Sequence, residues 1–306
     1  MSAGIDRVLG TWERFWFAPE APVNLAAARM VLAAQALWIL LSRDIPGLSA
    51  LPAVFWSAVP ASARWRFLIF EGHASLEATL QAAALLALVA ALLGVGARPA
   101  CAAAALLLYH LAPLETLFFT PSPWAKGLTI PVLGLLTLSL SPCADAWRVG
   151  RFHRERAFSP EHGWPLRLIQ LFVCQPYLFS GIAKLEAAGP AWALPDNIRA
   201  WLLQANQDPE LAVFRAPGLW LADRPVLCLA LGIAALLLDL GFVAVLFSKR
   251  ARRVLVPAAL VFHAAILVTQ NYAFLSAPLL LVFVDWSPHA ARGRARPAEA
   301  PSTTPA

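Results

Sequence analysis

The feature that most constrains this chain is a series of apolar runs, each close to the length of a bilayer crossing and nearly free of charge. A hydrocarbon core is about 30 Å thick and an α-helix rises about 1.5 Å per residue, so a crossing takes roughly 20 apolar residues. Val23–Leu41, Leu76–Leu93, Ala100–Phe119, Trp124–Leu140, Leu166–Leu185, Val226–Phe247 and Val254–Gln270 meet that criterion. Tyr272–Trp286 completes a set of eight, because one helix from Val254 to Trp286 would be about 50 Å long, too long for a single crossing. Backbone in lipid has no partner but itself, which selects helices. The runs also lack the two-residue alternation of an outer-membrane strand. The expected fold is an all-α integral membrane protein, a bundle of about eight transmembrane helices with two longer outer-face loops, forming one domain over residues 1–288.

Composition agrees. The chain is 59% hydrophobic and 14% charged, with a mean hydropathy of +0.64, against about 45–50% apolar and about 25% charged in soluble proteins. That excludes bulk disorder, a secreted disulfide scaffold and an ordinary cytosolic enzyme. Cys101, Cys143, Cys174 and Cys228 are scattered without a CxxC pair, so no metal or redox site is expected. The first ten residues lack the basic-then-apolar shape of a signal peptide and read as a mature N-terminus.

Basic residues set the orientation. With the N-terminus inside, the inner segments carry fifteen, among them Arg148, Arg151, Arg154, Lys249 and Arg253; the outer segments carry six, among them Arg43, Arg199 and Arg224. The positive-inside rule then puts both termini in the cytoplasm of a cell-membrane protein. Arg148–Arg156 and Lys249–Arg253 read as topology anchors in contact with lipid headgroups. Neither run is interleaved with exposed aromatics, so nucleic acid is not an expected partner. The tail from His289, basic and then rich in Pro, Ser and Thr, reads as a disordered cytoplasmic end. Two outer loops, Ser42–Ser75 and Glu186–Pro225, hold Trp56, Trp65, Trp192, Trp201 and Trp220. They are expected to form short amphipathic helices, which either anchor at the interface or roof a lipid-soluble ligand.

Ionisable groups inside apolar runs are costly and mark functional candidates. Arg29, Glu77, His110, Glu115, Lys126, Lys184, Asp239 and His263 qualify. Arg29 is expected to pair with a carboxylate such as Asp239 or Glu115. Lys184 differs from the rest. Among 24 basic residues only Lys126, Lys184 and Lys249 are lysines, so arginine is the default cation. A desolvated amine can lose its proton and act as a base, which a guanidinium cannot. Two other readings of Lys184 stay open: a cation snorkelling to outer headgroups, or a partner of Glu186.

Tyr177-Leu-Phe-Ser-Gly-Ile-Ala-Lys184-Leu185 resembles the aromatic–x–x–small–Gly–aliphatic–x–Lys–Leu motif of the vitamin K-dependent γ-carboxylase family and its bacterial relatives, the HTTM (horizontally transferred transmembrane) proteins. Ser-Pro-Trp124, the run ending at Asp239-Leu, and Phe-His263 fall in the family's order. The resemblance covers roughly residues 5–288. It implies that Lys184 is the catalytic base, acting on a quinol as the carboxylase lysine acts on vitamin K hydroquinone, and that His263 is the family's histidine in the Phe-His pair. Asp239 and His263 would orient Lys184 or the substrate, and Tyr177 and Trp124 would supply flat walls for a ring. The position of the family's active-site histidine after Trp124 is here Gly127, and the family's lumenal substrate-binding region has no counterpart in these residues. The expected substrate is therefore a small quinol-like or lipid-like molecule rather than a protein glutamate. The alternative is a non-enzymatic lipid- or quinone-binding subunit with an unidentified membrane or operon partner, in which Lys184 and Asp239 form a buried pair. A transporter ranks last, since no paired broken helices in related halves are visible.

Overall fold

The structure, a computed structural model, describes residues 2–52, 54, 74–112, 127–150, 158–208 and 213–287. In chain order its α-helices are α1 Ser2–Phe17, α2 Pro22–Leu41, α3 Ile45–Ser49, α4 Ala74–Leu93, α5 Ala97–Leu111, α6 Thr129–Ser139, α7 Pro160–Ala188, α8 Pro195–Asn206, α9 Arg215–Ala222, α10 Pro225–Gly241 and α11 Lys249–Gln270. Short 3₁₀ helices follow α7 (Gly189–Ala193) and α10 (Phe242–Leu246), and a third covers Ala277–Phe283. Among the described residues there is no β-strand, only a lone antiparallel bridge between Glu20 and Ser159.

Among the described residues five segments are long and apolar enough to cross a bilayer: α2, α4, α7 with its 3₁₀ extension, α10 with its extension, and α11. Their packing is that of a membrane protein. On α4 the buried face is Glu77, Ala84, Leu88 and Ala91, whereas Leu86 stands 71% exposed. Leu106, Leu237 and Val261 are likewise more than two-thirds exposed. In water such a surface would drive association; in lipid it is the favourable outer face, with small residues kept for helix contacts. The core centres on α2, which packs on α4, α6, α7 and the 277–283 segment.

The expected spans at residues 23, 76, 166, 226 and 254 coincide with these five helices. The third is described as α5 up to Leu111, and the fourth as the short helix α6. Residues 113–126 of and between those two runs, with Glu115, Trp124 and Lys126, lie outside the described residues, as do the tail from His289 and most of the first long loop, including Trp56 and Trp65. Tyr272–Trp286 is a correction. It holds no helix of spanning length, only the seven-residue 3₁₀ helix with Leu279, Leu280, Val282 and Phe283 buried, about 14 Å long. Its apolarity serves the protein core against α2 rather than lipid. Helix α1 is a further difference, since it is too short and charged for the span criterion. Its Phe15 stacks on Phe247 at 5.3 Å while Trp12 stays exposed.

Arg29 is fully buried in α2. Instead of Asp239 it meets backbone: Nη1 donates to the carbonyl of Cys143 at 2.7 Å and Nη2 to that of Trp147. The guanidinium thus holds the turn between α6 and α7, where Trp147 has a left-handed φ of 47°. Glu77 and His110 meet each other at 3.0 Å across α4 and α5. His162 of α7 meets Asp145 at 3.0 Å.

Candidate functional site

The site begins with the local sequence of α7. Tyr177, Ser180, Gly181 and Lys184 stand at i, i+3, i+4 and i+7, which places them on one helical face. Pro176, just before them, has no amide to bond the carbonyl four residues back, a gap in the helix ladder at the start of this face. Gly181 then decides how close α10 comes. A β-carbon there would lie 2.7 Å from Leu240 Cδ2 and 3.1 Å from Asp239 Cβ, so a larger residue would have to displace Leu240 and crowd Asp239.

That approach brings Asp239 to Lys184. The ammonium donates to Asp239 Oδ2 and, at 2.9 Å, to the Ser180 hydroxyl. It also lies 4.8 Å from the centre of the Trp192 ring, a cation–π contact. The carboxylate is nearly sealed at 4% side-chain exposure, while the lysine keeps 20%. Lys184 therefore neither snorkels outward nor pairs with Glu186. About two turns back along α7, the Tyr177 hydroxyl and His263 Nε2 of α11 share a hydrogen bond of 2.6 Å. Tyr177 stacks on Phe242 at 4.1 Å, and the His263 ring sits 4.6 Å from Phe274. Both side chains are thus held in place by aromatic neighbours.

Both pairs line one cavity of about 340 Å³. Its other walls are mainly apolar, including Trp201, Leu231, Phe262 and Ile266. This is the usual character of a small-molecule site: an apolar volume with a few convergent polar groups. The second long loop supplies the roof. Helices α8 and α9 pack together through Ile198, Leu202, Leu221 and Ala222, and Trp192, Ile198 and Leu221 face the cavity.

The roof is clasped to the end of α11 by amides. Asn206, fully buried, donates to the carbonyls of Leu202 and Thr269, both at 2.7 Å. Asn271 ends α11 in a left-handed conformation, φ 55°, and its Nδ2 donates to Asn206 Oδ1 at 2.9 Å. Gly232 sets the roof height, because a β-carbon there would lie 2.8 Å from Cα of Ala193. Backbone cannot yield as a flexible side chain does. Gly232→Ala is therefore expected to lift the 189–193 segment, cost about 1–3 kcal/mol and shift tryptophan emission to the red as Trp192 meets water. An unchanged melting temperature and emission maximum would refute this account of the roof.

Of the residues singled out from sequence, Lys184, Asp239, His263 and Tyr177 share this cavity. Trp124 lies outside the described residues. Gly127 packs against Ile39 and Leu275 and is not among the lining residues. Trp192, one of the loop tryptophans expected either to anchor or to roof a ligand, lines the cavity. Ser180 and the Asn206–Asn271 clasp go beyond the sequence reading: Ser180 has a signal, its spacing of four from Lys184, whereas the asparagines depend on a loop fold that has no sequence signature. Among the described residues no group of three His, Cys, Asp or Glu side chains could hold a metal ion. Comparison with family models, with curated proteins and with solved structures gave no match.

Proposed function

We propose that this chain is a multi-pass membrane protein of the HTTM type, both termini cytoplasmic, whose cavity binds a quinol-like or lipid-like amphiphile and takes a proton from its polar head through Lys184. One observation carries this reading: two polar pairs, Lys184–Asp239 and Tyr177–His263, stand in one mainly apolar cavity. A ring with a hydroxyl group matches such a space, its flat body against aromatic walls and its oxygen at the polar pairs. The amine has a free lone pair whenever the proton of the pair rests on Asp239. In that state Lys184 accepts the hydroxyl proton of the ligand, and the resulting ammonium and the ligand oxyanion form a new ion pair. Lysine suits this role where arginine does not, because a guanidinium stays protonated.

The second reading, a non-enzymatic binding subunit working with a membrane or operon partner, is favoured by the fact that Lys184 already has Asp239 and Ser180 as partners. Lipid and quinone extracts of purified wild type and Lys184→Ala, compared by mass spectrometry, test the shared premise. A hydroxylated amphiphile is expected with wild type and not with the variant; identical extracts would overturn both readings. Lys184→Arg separates the two. Under the base reading a bound quinol shows the absorbance of its anion with wild type and not with Lys184→Arg. Under the binding reading the two proteins give the same spectrum.

A further inference from the structure

A second cavity, of about 510 Å³, lies where α7 and α11 begin. Arg167 and Lys184 are separated by 17 positions on α7, about 25 Å along the helix axis, so the two cavities occupy opposite ends of the bundle. Four cations line the second one: Arg167 from α7, and Lys249, Arg252 and Arg253 from the first turn or so of α11. Two carboxylates, Glu20 and Asp285, face them.

The carboxylates are already engaged. Glu20 accepts from Arg167 at 3.4 Å. Asp285 accepts from Asn24 at 3.2 Å and from the Ser287 hydroxyl at 2.7 Å. Arg252 spends two of its donors on the carbonyl of Val245, which fixes the guanidinium beside Phe283. Among the described residues the ends of Lys249 and Arg253 make no hydrogen bond. Four positive groups against two negative ones leave an excess of two positive charges around a cavity wide enough for a headgroup.

The apolar side of the cavity selects the ligand. Phe247, Val256 and Pro257 line it, and Phe247 is 72% exposed. Val254, Pro257 and Val261 share one face of α11 at i, i+3 and i+7, with Val254 65% and Val261 69% exposed. Positive charge at the end of a spanning helix, joined to an open apolar strip along that helix, matches a phosphate headgroup and its acyl chains. We propose that this cavity binds the phosphate headgroup of an anionic membrane phospholipid, its chains lying along the exposed face of α11. This differs from anchoring by diffuse charge, because it assigns binding to the cations that line the cavity and not to their neighbours.

Arg250 makes the test sharp. It carries the same charge in the same run, is exposed, and does not line the cavity. The full chain in neutral detergent is titrated with phosphatidylglycerol, phosphatidylcholine or inorganic phosphate, with bound molecules counted by native mass spectrometry and melting followed in parallel. Phosphatidylglycerol is expected to remain bound and raise the melting temperature, and phosphatidylcholine is not. Lys249→Gln with Arg253→Gln is expected to weaken phosphatidylglycerol about tenfold or more, and Arg250→Gln to leave it unchanged. Equal retention of phosphatidylcholine, or an equal loss from Arg250→Gln and Arg253→Gln, would overturn the site. Full reproduction of the melting shift by inorganic phosphate would overturn the lipid assignment.

Discussion

Replacing Asp239 by alanine is expected to destabilise the protein by about 3 kcal/mol, the largest effect of any single change at the Lys184 cavity. The loss does not measure the worth of the ion pair. It measures an ammonium left among apolar walls with only the Ser180 hydroxyl and the Trp192 ring for company. Lys184 keeps 20% exposure, so some water reaches it, and the effect falls at the low end of the range for broken buried pairs. Removing both charges reverses most of the damage: Lys184→Met with Asp239→Leu is expected to unfold close to wild type, since an apolar pair of similar volume suits this setting. Thermal unfolding in detergent, followed by tryptophan fluorescence of Asp239→Ala and of the closed cycle of wild type, Lys184→Met, Asp239→Leu and their double variant, gives the coupling directly. If the double variant is as unstable as Asp239→Ala, the pair is not what holds α7 to α10.

Arg29→Leu is expected to cost about 2–5 kcal/mol, because it orphans one buried carbonyl and one half-buried carbonyl at about 1–3 kcal/mol for a fully buried group. The carbonyls of Cys143 and Trp147 belong to a turn that includes a non-glycine residue in the left-handed region, a conformation that persists only where its surroundings enforce it. Arg29→Lys is expected to recover little, since a single ammonium cannot reproduce the two-pronged reach of a guanidinium. Hydrogen exchange provides the local readout: amides of residues 144–149 should exchange faster in both variants, with α11 unaffected. Protection unchanged in that turn would show that Arg29 does not hold it. Gly94 belongs to the same arrangement. Its φ is +74°, and a β-carbon there would lie 3.0 Å from Arg29 Nη1.

What was legible in the sequence follows the range of each property. The positions of α2, α4, α7, α10 and α11 are legible because about twenty successive apolar residues have few alternatives in lipid. Tyr272–Trp286 misleads for the same reason, since hydropathy does not distinguish a side chain facing lipid from one facing protein. Lys184 stands out through composition, as one of three lysines among 24 basic residues. Asp239 is named from sequence as one of its possible partners, but whether the two meet across 55 positions is decided in space, where Gly181 lets α10 come close. The expectation for Arg29 assumed that a buried cation takes a carboxylate. Backbone carbonyls at a strained turn serve as well, and they leave no mark in the sequence.

The sequence by itself determined that this chain is helical, apolar on its outer faces and provided with a few charges that lipid would not tolerate, because each of these is a property of one segment and its solvent. The tertiary structure alone decided which charge meets which, that Tyr177, Lys184, Asp239 and His263 share one cavity, and that the loop after α7 roofs it. Those outcomes depend on interhelical distances of a few ångströms, and such distances are set by glycines, aromatic stacks and amide clasps contributed from distant parts of the chain.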